Sequence, residues 1–253
     1  MTLLAITRCI SPAMARCELT HVERSAIDLV QAEHQHRQYQ QALRALDCEV
    51  IELRAEPDLP DSVFVEDVAV VLDEVAVITR PGAESRRAES ASVAQVLARY
   101  RALVHLAAPA TLDGGDVLRL GRELLVGASG RSNAAGVAQL QAAVAGFGYA
   151  VRQLPIRGWL HLKSAVTEVA EGVLLVQPQW IDATAFPGFR IIEVDPDEPH
   201  AANALRVGTG LIYPSCFPRT LQRLQAAGID PLLVDVSELQ KAEGVVTCCS
   251  LIL

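Results

Sequence analysis

One order of elements recurs along this chain: strand, tight turn, strand, helix, strand. The clearest copy begins VEDVAVVLDEVAVITRPG, where two apolar runs flank a turn at Asp73 and Glu74. Val93, Val96, Leu97 and Tyr100 then follow at helical spacing and predict one apolar stripe, and ALVHLAAP supplies a third strand. The second copy opens GGDVLRLGRELLVGAS, turns at Gly121 and enters a helix that Ser132 is placed to cap, with Val137, Leu140, Val144 and Phe147 on its buried face. The third reads LHLKSAVTEVAEGVLLVQ, turns at Glu171 and Gly172, passes a weakly helical ATAFPGF and ends in RIIEV. The fourth reads ANALRVGTGLIYPS, followed by a helix through Leu221 and Leu224 stopped by Gly228, then PLLVDV.

A fifth copy is split between the chain ends. GVVTCCSLIL offers its first strand and TLLAITRCI its second; Thr20 and Glu23 form a capping-box pattern for a helix to about Leu46, and CEVIEL is the third strand. First strands thus begin near residues 67, 116, 161, 203 and 245, a spacing of about 40 to 50 residues that suits a supersecondary repeat. This predicts an α/β fold: one domain, residues 1–253, forming a five-bladed α/β propeller of pseudo-fivefold ββαβ units whose terminal segments close the last blade. On the pattern alone, an ordinary open α/β sheet is the competing architecture.

Composition narrows the function. The apolar stretches are short and broken by charges, below the run of about 20 residues that a membrane helix needs. The start MTLLAITRCI lacks a basic segment, a long apolar segment and a small-residue cleavage site, so the expected location is the cytoplasm. A formal charge of -8 disfavours nucleic acid and anionic membranes as partners and suits a small cationic molecule. The six cysteines, at 9, 17, 48, 216, 248 and 249, lack the spacing of a disulfide framework and are expected to be reduced thiols. There is no CxxC, and adjacent cysteines rarely share a zinc ion, so no metal site is expected.

In a propeller, the starts of the first strands meet near the axis. Here they carry Glu66 and Asp67, Asp113 and Asp116, His161, Asn203, and Cys248. Cysteine, histidine and an acid together make a nucleophile, a proton shuttle and an orienter. Taken singly, each reads as ordinary packing or a tight turn; the repeat is what brings them together. Asp61, Glu66 and Asp67 would raise the thiol pKa unless a cation came between them. A guanidinium is such a cation, with a donor fork that matches carboxylates and an electrophilic central carbon.

LPDSVFVEDVAVV, ITRPGAESRR, LDGGDVL, GRELLVGAS, LHLKS and GVVTCCS, in that order between residues 59 and 250, closely resemble the dimethylargininases, or dimethylarginine dimethylaminohydrolases. That family belongs to a guanidino-modifying superfamily of five-bladed propellers, with the arginine deiminases and amidinotransferases. The resemblance implies hydrolysis of methylated arginine to citrulline and a methylamine, with no cofactor. By position it implies Cys248 as nucleophile, His161 as general acid and base, and Asp113 as the third member. Asp61, Glu66 and Asp67 match the acids around the substrate's guanidinium and amino ends, and Arg86 and Arg131 match residues that hold its polar amino-acid end. Leu19 falls in a segment matching a mobile lid, and Ala242 stands where members can carry a larger aliphatic residue whose backbone touches substrate. Asn203 receives no role, and Cys249 is expected to pack into the core from the opposite side of the strand. An arginine deiminase and a non-catalytic guanidine binder stay open as alternatives, as does a homodimer.

Overall fold

Five three-stranded sheets form, each with its first pair of strands antiparallel and its second pair parallel. They are seen in a computed structural model that describes residues 3–253; Thr2, expected to head the N-terminal strand, lies outside the described residues. A hairpin suffices for the antiparallel pair, whereas the parallel partner needs a crossover. In blade one the strands are Ala69–Val71, Val75–Ile78 and Ala102–His105, with helix Ser90–Leu97 as crossover. Blade two has Val117–Leu120, Glu123–Gly127 and Ala150–Leu154 around helix Ala134–Val144. Blade three has Val166–Ala170, Val173–Val176 and Arg190–Glu193, with only a 3-10 turn, Ala183–Ala185, in its crossover. Leu205–Val207, Gly210–Pro214 and Leu232–Val234 make blade four around helix Pro218–Ala226.

The chain ends build blade five. Leu3–Arg8 pairs antiparallel with Leu251–Ile252 and parallel with Cys48–Leu53, and helix Leu29–Ala45 covers the crossover. This closure explains why the middle strands carry consecutive apolar residues, as in VAVI, VLLV and the LLV of blade two: both faces are buried, so successive residues feed opposite cores. Leu124 packs into the cluster shared by blades one and two, and Leu125 into that shared by two and three. Leu174 and Leu175 divide in the same way between the clusters on either side of blade three. Ala5 faces blade four, and Ile6 faces Val68, Ile78 and Leu97 of blade one, which completes the ring. Each fully buried leucine or isoleucine contributes about 1.5–3 kcal/mol. First strands of all five blades line a central channel of about 630 Å³. No helix among the described residues is long and apolar enough to cross a membrane.

Three local expectations are corrected. Thr20 and Glu23 do not open a helix; Asp28 is the N-cap, its side chain accepting from the amides of Val30 and Gln31. The Thr20 amide goes instead to the Glu243 carboxylate, a long-range partner that outcompetes the local capping box. Ser132 does not cap the blade-two helix, because its hydroxyl donates to buried Asp116; the next residue, Asn133, caps by accepting from the Gly136 amide. Cys248 and Cys249 lie in a turn ahead of a strand that is only Leu251–Ile252. Cys249 is nevertheless buried, in the cluster that contains Tyr39 and Val246.

Candidate active site

Short 3-10 turns or one-turn helices carry the polar residues into the strands beside the axis. Glu66 and Asp67 lie in Val65–Val68, just before the first strand of blade one. Asp113 precedes Gly114–Asp116, and His161 precedes the turn Leu162–Ala165. Asn203 and Cys248 stand two and three residues before their strands. Each of these side chains is buried.

The glycines of DGGD allow blades one and two to meet. A Cβ on Gly114 would lie 2.0 Å from the carbonyl oxygen of Glu66, and one on Gly115 would lie 2.7 Å from both Asp67 Oδ1 and His161 Nδ1. The Gly115 amide donates to Asp67 Oδ1 at 3.1 Å. Gly115→Ala is therefore expected to destabilise the fold by about 1–3 kcal/mol, an overpacking cost, and to lower turnover by more than the unfolded fraction explains. Thermal unfolding and activity measured on one preparation test this; full activity in the folded fraction would contradict it.

His161 is held by acids on several sides. Its Nε2 lies 3.0 Å from Asp113 Oδ2, and its Nδ1 lies 3.8 Å from Asp67 Oδ1. Asp113 is itself fixed, accepting from the Gly82 amide at 2.8 Å. Asp116 accepts the Leu162 amide at 3.1 Å and the hydroxyls of Ser129 and Ser132. Burial alone would strip the proton from His161, but the Asp67 charge, the Asp113 hydrogen bond and the Asp116 charge outweigh it and push the imidazole up to about 9. At neutral pH it is an imidazolium. Burial pushes Asp116 up to about 6, with the His161 charge opposing. Burial likewise opposes ionisation of Asp67, but His161 and Arg86 overcome it and hold the carboxyl below its ordinary range.

The thiol has the opposite balance. Burial, then the charges of Glu66 and Asp67, push Cys248 up to about 12. The Cys248 carbonyl accepts from the Glu66 amide at 3.1 Å, which ties the Cys248 turn to blade one. Thr247 steadies it from behind: its amide donates to Asn203 Oδ1 at 3.1 Å, and its hydroxyl donates to Glu66 Oε2 at 2.8 Å. Lys163 closes this network on Glu66 Oε1 at 2.6 Å. Sequence reasoning gave no site role to Asn203, Asp116, Thr247 or Lys163. The first two were visible as polar residues at strand starts, and the others only as neighbours of Cys248 and His161.

A cavity of about 20 Å³ unites Asp61, Asp67, Arg86, Arg131, His161, Ala242 and Cys248. Glu66 instead lines the central channel behind Thr247, and Leu19 packs against the core beside blade five. Asp113 stands behind His161. Arg86 is buried with its donors committed: Nη1 to Asp67 at 2.6 Å, and Nη2 to Glu89 at 2.8 Å and to the Asp61 and Phe64 carbonyls at 3.3 and 3.2 Å. Its charge is paired with the acids Asp67 and Glu89 at the cavity wall. Arg131 donates to the Thr20 hydroxyl at 3.0 Å. Asp67, Asp113 and His161 bring ligand atoms within 4.8 Å of one another, a spacing a small cation can bridge. Such a cation would have to displace the imidazolium proton.

The fold and the residues at its axis define a five-bladed α/β propeller with a buried cysteine, histidine and carboxylate set. No family model matches the chain. A Streptomyces coelicolor N(G),N(G)-dimethylarginine dimethylaminohydrolase is 44% identical over 248 residues, covering 97% of this chain and 95% of that protein. The chain belongs to that dimethylarginine dimethylaminohydrolase family. The Pseudomonas aeruginosa enzyme, solved as a cysteine-to-serine variant complexed with citrulline, superposes with a TM-score of 0.95 at 32% identity over 100% of both chains. A histidine-to-glycine variant of a dimethylarginine dimethylaminohydrolase, solved as an adduct with S-methyl-L-thiocitrulline, matches with the same score, identity and coverage.

Proposed function

We propose that the chain hydrolyses Nω-methylated arginines to citrulline and methylamine or dimethylamine, with residues 1–253 acting as one catalytic domain. The observation that carries this reading is a buried cysteine in one small cavity with an imidazolium flanked by two carboxylates. Citrulline bound to the Pseudomonas aeruginosa relative supports the product.

The thiol is too weak an acid to ionise unaided at neutral pH. A guanidinium placed against Asp67 and near Glu66 brings the positive charge that the free site lacks at sulfur, and the thiol proton passes to solvent as substrate enters. The thiolate of Cys248 attacks the guanidinium carbon and forms a C–S bond. His161 then protonates the methylated nitrogen, the C–N bond breaks and the amine departs. A cationic thiouronium remains on Cys248. Now neutral, His161 takes a proton from water, and the hydroxide adds to the same carbon. The C–S bond breaks, the thiolate is restored, and the remaining hydroxyl proton passes to solvent to leave neutral citrulline. Asp113 holds the imidazole through Nε2, and Asp67 stabilises its charged form. Asp61 and Arg131 take the α-ammonium and α-carboxylate.

Incubation with asymmetric dimethylarginine and, separately, with arginine tests the reading. Citrulline from the methylated substrate is expected. Citrulline chiefly from arginine would make the chain a deiminase, and none from either would overturn the hydrolase reading.

A further inference from the structure

Residues 18–22 cross the mouth of the cavity, and Thr20 and His21 at the crossing are exposed. Packing holds this crossing only in part: Leu19 lies against the core and His21 stacks on Trp159 at 5.1 Å, while Val22 faces a second cavity of about 360 Å³ walled by Trp159, Trp180 and His200. Polar ties add to these contacts. Glu18 donates its amide to Asp61 Oδ2 at 3.1 Å, and Arg131 donates to the Thr20 hydroxyl at 3.0 Å. The amides of Thr20, His21 and Val22 all converge on Glu243 Oε1, at 2.9, 2.5 and 2.8 Å.

These ties differ in what becomes of them when substrate arrives. Asp61 and Arg131 are the groups assigned to the substrate's α-ammonium and α-carboxylate, so an occupied site takes both away from the loop. Glu243 also borders the cavity, but neither charged end of the substrate is assigned to it. It lies in the backbone turn that also carries Ala242 and leads to Cys248, and it holds a left-handed φ of 60°, at a cost of roughly 1–2 kcal/mol for a side chain with a Cβ. A strained non-glycine residue whose carboxylate gathers three consecutive amides marks a position kept for its side chain.

We infer that Glu243 is the positioning residue that keeps segment 18–22 closed over Cys248 once substrate has taken Asp61 and Arg131. The inference rests on the methylarginine reading for that exchange of partners, but the tie itself is present in the free protein. A cavity of about 20 Å³ has room for roughly one water molecule, so the segment must open to admit an arginine derivative and close again behind it. A single carboxylate that releases three amides together makes that closure reversible.

Glu243→Ala and Glu243→Gln test the inference, each compared with the wild type by hydrogen exchange and by iodoacetamide alkylation mapped peptide by peptide, with exposed Cys216 as internal reference. In the free protein, Glu243→Ala is expected to abolish amide protection at 20–22 and to speed Cys248 alkylation about tenfold relative to Cys216, since charge-assisted hydrogen bonds are lost. Glu243→Gln keeps an acceptor oxygen within reach and restores part of both. With asymmetric dimethylarginine, KM rises about tenfold in Glu243→Ala while kcat falls less, the signature of faster substrate escape. Unchanged protection and alkylation overturn the inference. So does exchange that rises equally in all five blades, which would assign Glu243 to general stability. Both free-protein readouts stand apart from turnover, so failure of the methylarginine reading leaves them interpretable.

Discussion

Cys248→Ser is expected to lower citrulline formation roughly 10⁴-fold or more, the scale on which enzymes lose rate when the nucleophile goes. The fold should stay intact, because serine is close in size and Cys248 is held by its backbone, through Val245 and Glu66. The adjacent residue supplies the control. Cys249 Sγ donates to the Val245 carbonyl at 3.5 Å, and burial, with Cys248 and Glu66 adding to it, holds its thiol far above the ordinary range. Cys249→Ser is expected to retain turnover with a stability loss of about 1–2 kcal/mol. Steady-state rates and thermal melts of the two variants decide the matter, and a dead Cys249 variant beside a live Cys248 variant would reverse the assignment.

His161→Gln is expected to lower turnover of methylarginine about 10²–10⁴-fold, since an amine cannot leave carbon without first receiving a proton. The loss should depend on the leaving group. A thiol departs far more readily without general acid help, so S-methyl-L-thiocitrulline should still load Cys248 in the variant. The adduct should then persist, because no base remains to activate water. Mass spectrometry of the intact protein would show it, and equal loss of loading with both substrates would remove His161 from the acid role.

The same imidazole makes stability depend on pH. Its pKa is raised in the folded state, from 6.5 to about 9. Its contribution is therefore fully present below about pH 6.5 and is lost as pH rises through about 9. At 1.36 kcal/mol per unit, the stability gap between wild type and His161→Gln is expected to shrink by on the order of 3 kcal/mol between pH 6 and pH 10. Denaturant unfolding at the two pH values measures that double difference, and a gap that widens with pH would contradict it.

The propeller was legible because its grammar is local. Short apolar runs in VLDEVAVI and GRELLVGAS, the turn residues beside them and a recurring order of elements are all set by neighbours in sequence. Boundaries suffered where a distant group won a competition. Thr20 lost its capping role to Glu243, more than two hundred residues away, and Ser132 lost its own to Asp116. Neither outcome can be read from spacing, because the competing partner belongs to another part of the chain.

The chemistry divides along the same line. The sequence by itself determined which reactive groups the protein owns and at which strand starts they stand: Asp113, His161 and Cys248, with the acids of LPDSVFVED ahead of them. Only the tertiary structure decided what those groups became. The Asp67 charge and the Asp113 hydrogen bond, working against burial, made His161 an imidazolium, burial beside Glu66 and Asp67 made Cys248 a protonated thiol, and Asp67 and Glu89 came to pair with Arg86. Residue type belongs to the chain as a string. A charge state depends on desolvation and on distances of a few ångströms between blades, and those exist only once the ring has closed.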